Sequence, residues 1–319
     1  MDAFVTFFTS ADVTLSNKLL EVVYILIGLV CIYTGVLNAR DQSNEKRPGS
    51  AAFWCILGVL LVLGKWIPDY VAGALLIAMC IPPIVKQVDK GKGGAPTVDE
   101  MEGNFQKIGM KIFAPSLAIG VFALIFALFT KISSLVGLTF GVVVGGILLM
   151  AFSRDNNPRV FLSDCRRMLD TVGPLSMLPT LLAGLGAVFT AAGVGDVISQ
   201  LVSGIIPDGN VVVGIIVYAI GMAVFTMIMG NAYGAITVMT VGIGAPFVLS
   251  LGADPTIVGA LALTCGFCGT LMTPMAANFN IVPVAILDMK DEYGVIKKQI
   301  PIALIMLVVQ ICYMIFFAL

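Results

Sequence analysis

Ten runs of apolar residues, separated by short polar stretches, set the pattern of the chain. Most of them approach the roughly 20 apolar residues that a helix needs to cross the hydrocarbon core of a bilayer. The pattern therefore predicts an all-α polytopic membrane protein with about 10 hydrophobic segments. These segments are 20–37, 51–66, 69–85, 112–130, 133–152, 171–192, 210–229, 233–251, 256–287 and 300–318.

The ninth segment is too long to be one straight helix. Residues 255–287 would extend for about 50 Å, whereas the hydrocarbon core is about 30 Å thick. Pro274 and Pro283 offer breaks. Polar side chains gather around the first proline, and they are Thr264, Thr270, Thr273, Asn278 and Asn280.

A second interruption lies upstream, in GNAYGAITVMTVGIGAP at residues 230–246. Asn231 follows Gly230, and Thr237 and Thr240 come after it. Two Gly/Pro-interrupted, Asn-bearing segments in one apolar region indicate a transporter binding site. The alternative is structural, because Ser, Thr and Asn often bond neighbouring helices. One such segment would favour the structural role, but two together favour a site.

The segment before these interruptions is also irregular. Residues 171–192 contain two prolines and two glycines, so they either span the membrane or re-enter it. The next stretch, 194–206, has apolar residues at helical spacing and polar residues on the other face. It is either an interfacial helix or an arm that links a moving domain to a fixed one. We thus expect re-entrant or broken helices in the C-terminal half.

The composition agrees with a membrane protein. The 319-residue chain is 59% hydrophobic and 12% charged, with a mean hydropathy of +1.02, whereas soluble domains carry about 25% charged residues. A single core cannot bury this much apolar surface, so a lipid bilayer must cover part of it. The formal net charge of −1 provides no basic field for nucleic acid.

Basic residues concentrate in alternate loops. With ten crossings, 15 of the 18 lysines and arginines share one side, which the positive-inside rule makes cytoplasmic. Both termini then face outward. Residues 168–289 contain no basic residue, so their topology stays open. The 15 are Arg40, Lys46, Arg47, Lys86, Lys90, Lys92, Lys107, Lys111, Arg154, Arg159, Arg166, Arg167, Lys290, Lys297 and Lys298.

Charge also restricts the coupling ion. The chain has no histidine, and a proton relay within the membrane normally needs histidines or carboxylates at depth. If transport is ion-coupled, neutral oxygens favour Na⁺, near Asn231 and Asn278, and a carboxylate substrate would be held by helix ends, Asn and Thr. The acids of the region without basic residues all lie near segment ends, and they are Asp170, Asp196, Asp208, Asp254 and Asp288.

Other candidate chemistry is weak. The seven cysteines are scattered and form no disulfide framework. Cys265 and Cys268 lack the further ligands of a zinc site and the βαβ context of a redox site, so we interpret them as small hydrophobic residues. We predict no metal site and no cofactor apart from the candidate Na⁺. No nucleophile–base pair indicates an enzyme. GVVVG at 141–145 matches a close-packing motif.

Three stretches resemble a known superfamily. LLAGLGAVFTAAGVGDVISQLVSG, GNAYGAITVMTVGIGAP and CGFCGTLMTPMAANFN are similar to the second half of ion-transporter-superfamily carriers, such as gluconate permeases. Most of the chain also resembles a bacterial membrane family described as one subunit of a two-subunit 5-oxoproline transporter. The resemblance, with the interruptions, implies substrate or ion contacts at Gly230, Asn231, Thr237, Thr270, Thr273, Pro274, Asn278 and Asn280.

The resemblance also implies a partner. Superfamily carriers use two inverted halves, whereas only one set of interrupted helices is present here. We expect a companion polytopic subunit, or another copy of the chain, to supply the other half-site. The implied function is a subunit of a secondary active transporter for a small carboxylate, in the bacterial inner membrane and working by alternating access. The alternatives are a non-transporting accessory subunit and a proton-coupled organic-acid permease.

These expectations give a division of the chain into four parts. Residues 1–107 would form an N-terminal scaffold or assembly surface, and 108–170 a linking pair of spans with a cytoplasmic loop. Residues 171–287 would form the transport domain with interrupted helices. Residues 288–319 would form a cytoplasmic loop and the last transmembrane helix.

Overall fold

A computed structural model describes residues 2–89, 98–153, 155–207 and 209–319. These residues contain helices and no strand, so the predicted all-α class is confirmed for them. The chain divides into two compact units, Met1–Gly173 and Pro174–Leu319. The predicted four-part division stays a prediction.

The first unit contains helices α1 to α8, and capping residues explain where several of them begin. Asn157 Oδ1 accepts hydrogen bonds from the backbone N–H groups of Arg159 and Val160, and Pro158 occupies the first helical position. Ser133 caps another helix in the same way. The helices are α1 Asp2–Thr9, α2 Leu15–Arg40, α3 Arg47–Leu63, α4 Asp69–Ile84, α5 Val98–Ile108, α6 Phe113–Phe129, α7 Ser134–Phe152 and α8 Pro158–Val172.

The glycine motif on α7 packs against α6. A Cβ atom at Gly141 would lie 2.6 Å from the Cα atom of Ile119, and one at Gly145 would lie 3.1 Å from the carbonyl oxygen of Pro115. Only a residue without a side chain permits such an approach. The interpretation of residues 141–145 as a helix-packing motif is therefore confirmed.

The second unit is built around α11, which α14 and α16 contact. Ile215, Tyr218 and Met222 on α11 are buried in its core. A π-helical segment, Thr240–Gly244, joins α12 to α13. The helices are α9 Leu178–Ala191, α10 Val194–Ser203, α11 Val211–Met229, α12 Ala232–Met239, α13 Ala245–Phe247, α14 Pro255–Thr270, α15 Ala277–Ile286 and α16 Gly294–Phe317.

Six helical stretches in the described part of the chain are long and apolar enough to cross a membrane. A seventh is obtained if α9 and α10, which meet at a bend of 66°, are counted as one broken span. The predicted segments at 51–66, 69–85 and 256–287 correspond to the shorter helices α3, α4, α14 and α15. The number of about 10 segments thus stays a prediction, whereas several spans are present.

The irregular segment 171–192 contains the end of α8, a 3₁₀ turn at Gly173–Met177 and α9, and the amphipathic stretch after it forms α10. Gly193 separates them with a left-handed φ of 71°. α10 crosses the π-helical segment closely, because a Cβ atom at Gly242 would lie 2.7 Å from the carbonyl oxygen of Gly195. One face of the predicted amphipathic helix therefore packs on protein.

Candidate functional site: two chain breaks that meet

The first break separates α11 from α12 at Gly230 and Asn231. Gly230 has a φ of 74°, and its N–H donates to the carbonyl oxygen of Thr226 at 2.6 Å. Asn231 is extended, and its Oδ1 atom accepts the backbone N–H of Tyr233 at 2.9 Å. Glycine ends one helix and asparagine caps the next, so the sequence itself dictates this break.

The second break separates α14 from α15. Helix α14 ends at Thr270, Pro274 lies in the connecting turn, and α15 begins at Ala277. The predicted break at Pro274 is confirmed. The break offered by Pro283 is wrong, because this residue lies inside α15. A membrane helix tolerates an internal proline, because neighbouring groups can satisfy the carbonyl oxygen that loses its backbone hydrogen bond.

The two breaks contact each other. Thr273 Oγ1 in the second break donates to the carbonyl oxygen of Met227, in the last turn of α11, at 2.9 Å. A Cβ atom at Gly230 would lie 2.6 Å from the carbonyl oxygen of Met275. The backbones of the two breaks thus approach as closely as glycine allows. Helices α12 and α15 each begin two residues after this contact, at Ala232 and Ala277.

The buried side chain of Asn280 bridges the second break with two hydrogen bonds. Its side chain is completely buried, and its Nδ2 atom donates to the carbonyl oxygens of Thr270 at 2.7 Å and Thr273 at 2.6 Å. An amide group has two N–H donors, so these two acceptors fix its orientation. Its Oδ1 atom is consequently turned away from both carbonyls, and it is buried without a hydrogen-bond partner.

Thr226 has a second buried oxygen without a partner, and the sequence analysis missed it. Its Oγ1 atom forms no hydrogen bond, although the residue is completely buried. It lies one helical turn before Gly230 and faces α14, where a Cβ atom at Gly266 would lie 3.2 Å from it. A hydroxyl so close to a helix break was the signal available in the sequence. In folded proteins, water molecules and ions are among the groups that satisfy buried polar atoms of this kind.

The structure brings five of the eight predicted site residues together. Three of the eight have exposed side chains: Thr237, Pro274 and Asn278. Thr237 Oγ1 donates to the carbonyl oxygen of Gly234 and lies 3.4 Å from Thr190 Oγ1 on α9, so it contacts a different helix. The five that meet at the breaks are Gly230, Asn231, Thr270, Thr273 and Asn280.

The cysteine pair lies beside the break rather than in it. Cys265 and Cys268 are free and buried in α14, and Cys268 Sγ donates to Gln310 Oε1 on α16 at 3.6 Å. Among residues 209–287 the single charged residue in the sequence is Asp254, which caps the far end of α14. The site is thus composed of neutral side chains, backbone groups and helix ends.

Several apolar helices of spanning length define the class, a multi-pass helical membrane protein. Within that class the chain belongs to the family DUF979, "Protein of unknown function", whose model matches residues 21–319. No curated protein and no solved structure matches the chain.

Proposed function

We propose that this protein is one subunit of a secondary active transporter for a small carboxylate, such as 5-oxoproline or a related organic acid. The observation that carries the proposal is the contact between the two chain breaks. Two interrupted helices that meet within an apolar unit are the arrangement typical of carrier binding sites.

The helix starts at the breaks suit an anionic substrate. Helices α12 and α15 begin at Ala232 and Ala277, on either side of the contact between Gly230 and Met275. The start of a helix carries a partial positive charge and free N–H groups. Because residues 168–289 contain no lysine or arginine, these groups would replace a basic side chain in holding the carboxylate.

The unpartnered oxygens suit Na⁺. Asn280 Oδ1 and Thr226 Oγ1 are neutral, buried and without hydrogen-bond partners, and carriers hold Na⁺ with such oxygens and with the carbonyls that a helix break frees. The structure-based candidate for the ion is therefore Asn280, rather than the exposed Asn278 named from the sequence. Asn231, the other residue named from the sequence for the ion, is the cap of α12.

The finer architecture is part of the same proposal. About 10 segments cross or re-enter the inner membrane of a bacterium, with the basic loops cytoplasmic and the termini periplasmic. Residues 171–287 bind substrate and move by alternating access, without covalent chemistry. A companion polytopic subunit supplies the other half-site, because only one pair of meeting breaks is present in the part of the chain that the structure describes.

Uptake into proteoliposomes tests the proposal. Vesicles would contain this chain, a polytopic protein encoded beside it, or both, and uptake of labelled 5-oxoproline and other organic acids would be measured in Na⁺ and in choline. We expect uptake that requires Na⁺ and both chains. Absence of uptake in every arrangement contradicts the transporter. Uptake driven by a pH gradient but indifferent to Na⁺ establishes the proton-coupled alternative.

A further inference from the structure

A second buried polar cluster lies in the first unit, where α8 meets α2 and α3. Asp170 on α8 accepts hydrogen bonds at the same oxygen, Oδ1, from Asn38 Nδ2 at 2.7 Å and from Trp54 Nε1 at 3.0 Å. The Asp170 side chain is only 7% exposed, and Asn38 and Trp54 are completely buried. This carboxyl group therefore lies between α8, α2 and α3 and is largely shielded from water.

One guanidinium group serves two carboxyl groups in this cluster. Arg166 Nη2 donates to Asp41 Oδ2 at 2.7 Å and to Asn38 Oδ1 at 2.9 Å. Its Nε atom lies 3.4 Å from Asp170 Oδ2 without forming a hydrogen bond. With both acids ionised, the two carboxylates share one guanidinium, so these three side chains together carry a net charge of −1.

The other charged groups described on α2, α3 and α8 are exposed or have partners elsewhere. Helix α7, which contacts α2, has no charged residue. On α8, Arg167 pairs with Asp164. Arg40 at the end of α2, Arg47 at the start of α3 and Arg159 on α8 are exposed. On α2, Glu21 pairs with Lys65, and Lys18 donates to the carbonyl oxygen of Ser10. The three helices also carry the thiols of Cys31, Cys55 and Cys165. An excess negative charge in a buried cluster favours the uptake of a positive ion.

We propose that Asp170 is a proton-binding site and that its protonation strengthens the docking of α8 on α2 and α3. Asp170 and Arg166 lie outside the six spanning stretches, although Asn38 is in the first of them. All three are far from the break residues in sequence, so the proposal does not depend on the proposed transport function. A proton fits on Asp170 Oδ2, because this oxygen of the buried carboxyl group accepts no hydrogen bond among those described for the cluster, whereas Oδ1 accepts two. A hydrated metal ion would need additional oxygen ligands.

The direction of the pH effect follows from the environment of each acid. Burial raises the pKa of Asp170, against the hydrogen bond from Asn38, the charge of Arg166 and the hydrogen bond from Trp54, which lower it. The hydrogen bond from Ser43, followed by that from Arg166, lowers the pKa of Asp41. The docked state thus binds the proton more tightly than an undocked state in which Asp170 meets water. Docking is favoured below the raised pKa and weakens as the pH rises through it.

The chain contains a reporter for this titration. It has two tryptophans, and Trp54 donates directly to Asp170. In the W66F protein, Trp54 fluorescence should change with pH, because a neutral carboxyl accepts the indole N–H less strongly than a carboxylate. We expect a midpoint above the value of about 3.9 for an unperturbed aspartate. In W66F/D170N this transition should be lost.

Two further variants test the shared guanidinium. R166Q removes the cation and should move the midpoint to higher pH, whereas D41N removes the competing carboxylate and should move it to lower pH. D41N keeps the test decisive if D170N does not fold. Either variant leaving the midpoint unchanged would contradict the shared arrangement.

Amide hydrogen exchange tests the effect on docking. In the W66F protein, exchange in α8 should accelerate relative to W66F/D170N at the same pH as the pH rises through the fluorescence midpoint. Comparison at equal pH removes the intrinsic pH dependence of exchange. The proposal is overturned by a midpoint at the unperturbed value, by a transition that survives D170N, by exchange in α8 that ignores the midpoint, or by a Trp54 signal that follows Na⁺ or K⁺ at constant pH.

Discussion

The break site in the second unit and the charged cluster on α8 in the first unit both bury polar side chains, but with opposite chemistry. At the breaks a neutral amide, Asn280, satisfies two backbone carbonyls. On α8 an acid, Asp170, meets an amide, an indole and a guanidinium. The neutral site belongs to apolar helices without charge, whereas the charged one lies at the end of α2, where Asp41 and Arg166 still reach water.

The difference shows that the depth at which a polar group is buried determines whether it can be charged. Burying an unbalanced charge costs far more than burying an amide, so charges are found where solvent can still contact part of the cluster. The two sites also differ in how many hydrogen-bond donors can replace one that is lost. Asp170 keeps other donors when one is lost, but the carbonyls of Thr270 and Thr273 depend on Asn280 alone among the hydrogen bonds described for the break. The break site should therefore be the more sensitive of the two.

Replacing Asn280 should have the largest effect. N280A leaves two buried carbonyl oxygens without donors, at about 1–3 kcal/mol each, so the free energy of unfolding should fall by about 2–6 kcal/mol. Unfolding in mixed detergent micelles would measure it. The control is N278A, because Asn278 is exposed and its loss should change stability by at most about 0.5 kcal/mol. Equal losses in the two variants would show that the amide does not support the break.

Replacing Gly230 should have the next largest effect. G230A places a Cβ atom 2.6 Å from the carbonyl oxygen of Met275 at a φ of 74°, and strain with overpacking should lower the free energy of unfolding by about 2–4 kcal/mol. Gly209 offers a matched control, since its φ is 75° and no atom lies within 4 Å of its Cβ position. G209A should therefore show only the backbone strain, about 1–2 kcal/mol. If G230A lowers the free energy of unfolding no more than G209A does, the two breaks are not in close contact.

Removing one donor from the charged cluster should have a smaller effect. W54F removes the hydrogen bond to Asp170, worth about 0.5–1.5 kcal/mol beyond the lost ring volume. W66F loses the same volume, while the Nε1 atom of Trp66 is buried without a hydrogen-bond partner. Because Trp54 is completely buried and Trp66 only partly, the difference in unfolding free energy between the two variants is an upper limit for the hydrogen bond. A difference larger than the loss in N280A would reverse the order of the two sites.

The smallest change in stability is expected for Thr226. T226V removes a buried hydroxyl that has no partner, so the free energy of unfolding in choline should change by less than about 0.5 kcal/mol. If this hydroxyl contributes to the proposed ion site, Na⁺ should stabilise the unmodified protein but not T226V. The same Na⁺ stabilisation in both proteins would exclude Thr226 from the site.

Local signals in the sequence predicted much of the break site. Gly230, Asn231 and Pro274 act on their own backbone, so their positions were predictable from residue type. The break at Pro283 failed for the converse reason, because surrounding helices let α15 continue through it. Asn278 and Asn280 could not be distinguished, since they lie two residues apart and only packing against α14 decides which side chain is buried.

The charged cluster was less predictable than the breaks. The sequence indicated only that Asp170 lies near the end of a segment. Its partners Asn38 and Trp54 are more than 100 residues away, and no local pattern joins α8 to α2 and α3. The number of spans was similarly uncertain, because the residues that form α3 and α4 are apolar enough for a membrane but make helices of 17 and 16 residues.

The sequence by itself determined the helical class, the apolar surroundings, the glycine packing on α7 and the two interruptions at Gly230–Asn231 and Pro274. These follow from composition and from the conformational limits of single residues. The tertiary structure alone decided that the two breaks touch, that Asn280 faces inward with a free oxygen, and that Arg166 is shared by two acids. Contacts between distant segments depend on how whole helices pack, and the periodicity of one helix does not encode which face its neighbour covers.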